Sequence, residues 1–253
     1  MGPIDRRSLR KRGVLARHEA GGRTVLAQAD AATRRRLRRI NAISASAFVL
    51  GGSLFAVGAA LSQGDVGGPR LAAAVYLVGG VFFTTGAYAA LLQVANAPRG
   101  ADPEGILRTP PWRWWSLEPG HLDWASAVTL FVGTLFFFVS LVLALLGDLT
   151  IAQQHRLVWS PEVVGCVLFL VSGHLALTEM HRDRPRGRRA DLGWWIAVVN
   201  QLGSALFMVA AIAAFVRPAS GDELAVGIAN WGTLTGALCF AVAAAMQEFE
   251  RPP

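Results

Sequence analysis

The sequence predicts an all-α membrane protein: six transmembrane helices arranged as three tandem in-out-in helical hairpins, that is, as parallel repeats. Three observations predict it. The first is the distribution of polarity. Hydrophobic residues make up 53% of the chain and charged residues only 16%, with a mean hydropathy of +0.41. The charges are dense between six apolar blocks and absent from the middle of each, whereas a soluble domain spreads charge along its length to keep its surface wet. A helix needs about 20 apolar residues to cross a hydrocarbon core of roughly 30 Å. The blocks at 40–62, 71–96, 122–147, 158–180, 192–216 and 223–249 meet that length.

The second observation is the placement of the 24 basic residues. Twelve lie in the segment up to Arg39, three in the loop after the second span, five in the loop after the fourth and one at the C-terminus. The other three loops hold one each: Arg70, Arg156 and Arg217. By the positive-inside rule this split of 21 to 3 puts both termini in the cytoplasm. The third observation is a repeated motif. Leu50-Gly51-Gly52-Ser53-Leu54-Phe55, Val132-Gly133-Thr134-Leu135-Phe136-Phe137 and Leu202-Gly203-Ser204-Ala205-Leu206-Phe207 share an aliphatic residue, a Gly, a small residue and a large apolar pair ending in Phe.

Residues 1–39 form a basic cytoplasmic tail. Its early part, with Arg6, Arg7, Arg10, Lys11, Arg12, Arg17, Arg23 and Gly21-Gly22, carries too few large apolar residues to fold alone. From Ala31 a helix is expected to run into the first span, its arginines at anionic headgroups. The 39-residue polar leader is too long for the n-region of a cleaved signal peptide. The first hairpin occupies 40–96. Gly51 and Gly58 are seven apart, as are Gly79 and Gly86, a period that keeps small residues on one side of a helix pair. Small residues in lipid let backbones approach, so these glycines are read as packing positions.

Residues 97–121 form a cytoplasmic loop in which Pro110-Pro111-Trp112-Arg113-Trp114-Trp115 suits a segment lying on the inner membrane face. The second hairpin spans 122–180; within it Ser160 is expected to cap a helix that starts with Pro161. A basic loop, 181–191, follows. The third hairpin, 192–249, carries the third motif and a GxxxG at Gly232 and Gly236, and 250–253 is a short cytoplasmic tail. No interior proline is expected in any span. Gly51, Gly58, Gly79, Gly86, Gly133, Gly203, Gly232 and Gly236 are the predicted helix-packing residues.

The run Gly79-Gly80-Val81-Phe82-Phe83-Thr84-Thr85-Gly86-Ala87-Tyr88, the Gly133–Phe137 run, Val158-Trp159-Ser160-Pro161-Glu162, and Gly232-Thr233-Leu234-Thr235-Gly236-Ala237-Leu238-Cys239-Phe240 together resemble the YrhK-like family of bacterial integral membrane proteins. The resemblance covers roughly 40–249. It implies a multi-pass protein of the bacterial plasma membrane and carries over no active-site residue.

The spans hold little chemistry. No Asp, Glu, Lys or Arg lies near a midplane, and Cys166 and Cys239 form no metal-ligand spacing, which reads as two small buried hydrophobes. His174 lies about 9 Å in from the Met180 end of its span, and Asn200 about 12 Å in from the same side. His174, Glu179, Asn200 and Gln93 are therefore the candidate binding residues, expected to face one another or an inward crevice in the inner half of the bundle. The alternative is a set of separate interhelical hydrogen bonds. Neither Ser172 nor Cys166 stands one turn from His174, and no ligand set for a metal is found, so neither an enzyme nor a cofactor is expected. The expected partners are the lipid bilayer, its anionic headgroups and an unidentified protein at the cytoplasmic face; nucleic acid is not among them. Two functions remain: a non-catalytic scaffold, sensor or assembly partner, and a small-solute or lipid transporter or channel built from the three repeats.

Overall fold

The computed structural model describes residues 9–11, 13–18, 24–98, 107, 111–147, 149–183 and 192–250. Predictions concerning Arg6, Arg7, Arg12, Arg23, the Gly21-Gly22 pair, Pro110, the basic run 184–189 and the tail 251–253 fall outside the described residues. Among the described residues six helices are long and apolar enough to cross a membrane, and the chain is a multi-pass, all-α membrane protein. They are α1 (Ala31–Gln63), α2 (Gly68–Ala95), α3 (Leu122–Ala144), α4 (Ser160–Asp183), α5 (Leu192–Ala213) and α6 (Val226–Phe249). The expected helix start at Ala31 has a local cause. Asp30 accepts from the amides of Ala32 and Thr33 at 2.9 and 3.0 Å, satisfying donors the first turn would otherwise leave unpaired.

The fourth span departs from expectation. Ser160 does not begin it, because the helix continues backward through a π-helical stretch, Gln154–Trp159, to Ile151. Its cap is Thr150, paired reciprocally with Gln153 in a capping box. Pro161 therefore sits inside a continuous helical span, and the expectation of no interior proline fails. A proline removes one helical donor and crowds the carbonyl four residues back. The wider π turn just before it relieves that crowding, and the Ser160 hydroxyl donates to the His155 carbonyl at 2.8 Å.

The N-terminal segment also departs from the reading of an unstructured tail. Val14–His18 (β1) and Thr24–Gln28 (β2) pair antiparallel, from Val14 opposite Gln28 to His18 opposite Thr24. The segment alone cannot bury enough surface; the rest of the chain supplies the difference. Leu9, Ala27, Ala29 and Leu107 form a small buried cluster, with the Leu107 amide donating to the Gln28 carbonyl.

The six helices close a ring: α1 packs on α2 and α6, α3 on α2 and α4, and α5 on α4 and α6. Within each sequential pair the backbones meet at a glycine. A Cβ on Gly51 would lie 2.9 Å from the Gly79 carbonyl oxygen, one on Gly165 2.9 Å from that of Gly133, and one on Gly203 3.0 Å from that of Gly236. The same crossing is thus made three times. Gly58, Gly86 and Gly232 instead leave room for the Tyr76 ring, the Phe48 ring and Ala210. Facing away from the ring are Leu50, Val57, Val78, Val81, Val139 and Val209, all exposed. An exposed apolar belt of this extent, on helices long enough to span, suits contact with lipid.

Candidate functional site

In every helix the residue four positions after the crossing glycine is a phenylalanine: Phe55, Phe83, Phe137, Phe169, Phe207 and Phe240. Glycine and phenylalanine a turn apart face the same way, so all six rings point to the ring's centre. There they form two stacked triangles. Phe55, Phe137 and Phe207, from α1, α3 and α5, lie 5.6, 5.9 and 6.1 Å apart by ring centroid. Phe83, Phe169 and Phe240, from α2, α4 and α6, lie 6.1, 5.2 and 6.2 Å apart. Each ring of one triangle also touches the ring of its hairpin partner, at 5.8, 5.9 and 5.6 Å. The result is a trigonal prism of phenyl groups filling the middle of the bundle. Each such contact contributes about 0.5–1.5 kcal/mol beyond burial.

Following the same faces toward the end where α1 begins and α6 finishes, the side chains shrink or turn polar. Seven residues before Phe207 stands Asn200, eleven before Phe55 stands Ser44, and eleven before Phe137 stands Ser126. Seven residues after Phe83, Phe169 and Phe240 stand Ala90, Ala176 and Gln247. Substituting small side chains for phenyl rings opens a cavity of about 150 Å³, lined from all six helices. At roughly 30 Å³ per molecule it has room for several waters. Phe169 and Phe240 form its floor; the triangle beyond them contributes nothing to its wall.

Polar groups on the cavity wall, with Asn41 behind it, knit the helices together. Asn41 Oδ1 accepts from Gln93 Nε2 at 3.1 Å and from Gln247 Nε2 at 2.8 Å, tying α1, α2 and α6. Ser44 donates to the Gly86 carbonyl at 2.9 Å. Ser126 and Ser172 exchange bonds, each hydroxyl donating to the other's carbonyl at 2.9 and 2.8 Å and joining α3 to α4.

At the mouth stand Arg10 and Lys11, both lining the cavity. Arg10 Nη1 lies 2.7 Å from Glu179 Oε1 and 3.6 Å from Asp123 Oδ2, while Lys11 Nζ lies 2.7 Å from Glu250 Oε2. Glu179 occupies the last turns of α4, where the helix dipole opposes a negative charge; a guanidinium offsets it. Burial by itself would lower the Arg10 pKa, but Glu179 and Asp123 outweigh it, and the guanidinium sits above its ordinary value.

The four predicted binding residues divide. Gln93 and Asn200 line the cavity. Glu179 is buried at its mouth, against Arg10. His174 does not join them: it is exposed on α4 and takes no part in the cavity wall. The reason is angular. The cavity wall of α4 is Phe169, Ser172, Gly173 and Ala176, a stripe that passes His174 by. Thr178 and His181 bond to carbonyls of their own helix, at His174 and Leu177, so they form no chain leading from His174. Sequence reasoning missed Arg10, Lys11, Asp123, Ser126, Ser172 and Gln247. The recurrence of Gly-x-x-x-Phe in all six spans would have aligned the helix faces and found the last three. Arg10 and Lys11 are two of twelve basic residues before the first span, and although Lys11 is the one lysine of the chain, nothing in the sequence ties either to the cavity.

Comparison with known proteins adds no relative: no family model, curated protein or solved structure matches the chain.

Proposed function

We propose that this chain is a non-catalytic membrane sensor or assembly partner that binds a small ligand in the cavity at the end where α1 begins and α6 finishes. The observation that carries the reading is the blind floor: the cavity draws wall from all six helices and stops at Phe169 and Phe240. A static pore is disfavoured by six mutually packed rings, because parting them forfeits contacts that nothing else in the middle of the bundle replaces. The amide and hydroxyl lining suits a neutral, hydrogen-bonding ligand or the polar head of an amphiphile. The charge asymmetry of 21 to 3 supports a cytoplasmic placement of both termini. The motif runs support YrhK-like membership and a bacterial plasma membrane, and the three like Gly crossings support descent from one repeated hairpin.

The second reading, a small-solute or lipid transporter, has one observation in its favour: a central site shared by three hairpins is where parallel-repeat carriers bind. Proteoliposomes separate the two. The wild-type chain is expected to give glycerol and proton flux no faster than protein-free vesicles, and Phe207→Ala with Phe240→Ala to raise it by opening the floor. Flux through the wild type would overturn the sensor reading in favour of transport. Native mass spectrometry of the detergent-released chain is expected to show a bound small molecule that is lost in Ala176→Leu, which fills the cavity.

A further inference from the structure

We propose that the segment holding Arg10 and Lys11 is a tethered plug, closing the cavity toward the aqueous phase and withdrawing to admit what the cavity binds. The inference rests on the reading of the cavity as a ligand site only for what enters; closure is a separate property and is tested without a ligand.

Three features carry it. First, Arg10 and Lys11 are part of the cavity wall although they belong to none of the six helices. Wall supplied by a segment outside the ring can leave without unpacking the ring. Second, the segment is clamped from several sides: Asp123 begins α3, Glu179 ends α4 and Glu250 follows α6. The ion pairs therefore bridge the second and third hairpins across the opening. Third, Arg10 and Lys11 themselves are held at the mouth by ion pairs. The neighbouring large apolar side chain, Leu9, is buried in the separate cluster with Ala27, Ala29 and Leu107. Withdrawal would break ion pairs whose charged groups can be taken over by water and salt at the mouth, while leaving the Phe prism and the Gly crossings intact. The side chains of Arg10 and Lys11 are 14% and 9% exposed, so solvent already reaches the clamp. A closure held this way is reversible, unlike the apolar centre beneath it.

The test uses the full-length chain in detergent, with Cys166→Ala and Cys239→Ala to remove the native thiols and Asn200→Cys to place one thiol on the cavity wall. N-ethylmaleimide is the probe, because it is uncharged and its rate does not follow the charge at the mouth. With the clamp intact, labelling is expected to be slow; Arg10→Gln with Lys11→Gln should accelerate it by roughly tenfold or more. Exchanging the charges, Arg10→Glu with Glu179→Arg, should return it toward the slow rate, which loss of a structural contact would not do. Should the neutralised chain fail to fold, salt gives the same reading with the clamp residues unaltered. At about 1 M ionic strength the screening length falls to roughly 3 Å, and labelling should speed up reversibly. Equal labelling with and without the clamp, or at low and high salt, would overturn the plug. The flux experiment can fail without moving these rates, and these rates can fail without opening the floor.

Discussion

The middle of the bundle and the half around Ser44, Ser126, Asn200 and Gln247 are made by the same six helices, presenting the same faces, yet one is solid and the other hollow. The difference is side-chain size along a shared stripe. At the middle each helix contributes a glycine and a phenylalanine, so the backbones come close and the rings fill what remains. Two to three turns away the stripe offers Ser44, Ala90, Ser126, Ala176, Asn200 and Gln247, and the helices, already fixed by the crossings, cannot close in to fill the space. The lesson is that a membrane bundle can hold a cavity open by packing tightly somewhere else. Its polar groups then do not collapse onto one another; they bond sideways between neighbouring helices, as Asn41 does with Gln93 and Gln247.

The sharpest way to break this comparison is to enlarge one side chain in each half. Gly203→Leu should cost about 3 kcal/mol or more, because its Cβ would meet the Gly236 carbonyl oxygen at 3.0 Å and the Cys239 Cβ at 3.1 Å, and backbone cannot step aside. Gly227→Leu, in the same hairpin but with nothing near an added Cβ, should be tolerated. Ala176→Leu should also be tolerated, because its side chain enters the cavity. Thermal unfolding of the three purified variants in one detergent decides it. If Ala176→Leu is as damaging as Gly203→Leu, the two halves are equally packed and the contrast is lost.

How far this was legible in the sequence follows the same division. Spans and crossings were readable because lipid imposes strong local demands: about 20 apolar residues per helix, and small residues where backbones touch. The motif with Gly51, Gly133 and Gly203 pointed at the contacts that Gly79, Gly165 and Gly236 complete. The cavity was only half readable. Depth along a helix follows from residue count, which is why Asn200 and Gln93 were placed at a sensible level. Rotation about the axis does not follow without knowing which helices are neighbours, so residue count alone does not show that His174 stands off the cavity wall. Pro161 was misplaced because a π turn before a proline leaves no composition signal. The N-terminal hairpin was missed because its stabilising surface belongs to distant residues such as Leu107.

A smaller effect sharpens the polar side of the comparison. Ser126 and Ser172 each donate to the other's carbonyl, so Ser126→Ala removes one bond and leaves the Ser172 hydroxyl its own. The expected cost is about 1 kcal/mol, since bonds between membrane helices contribute little more than those in water. A double-mutant cycle with Ser172→Ala should show coupling, because the hydroxyl oxygens are 3.2 Å apart. Strict additivity would mean that the two serines act as independent backbone caps.

The smallest expected effect belongs to His174, and its smallness is informative. Its depth in α4 made it a candidate for the cavity, but depth and facing are independent properties of a helical residue. The cavity wall on α4 runs through Ser172, Gly173 and Ala176, and His174 stands exposed beside it. Its backbone carbonyl accepts from Thr178 at 2.9 Å, a bond that survives any side-chain change. His174→Ala should therefore shift stability by no more than about 0.5 kcal/mol. It should also leave the labelling rate of the Asn200→Cys thiol unchanged, with the plug in place or neutralised. Gln93→Leu, at a comparable level but on the wall, should alter both, because Asn41 loses one of its two donors and the cavity loses a polar group. A His174→Ala chain whose labelling rate changed as much as that of Gln93→Leu would place the imidazole inside the working site after all. It would require α4 to turn about its axis between two states, and the solid middle would then have to move with it, since Phe169 lies on the same helix and in the prism.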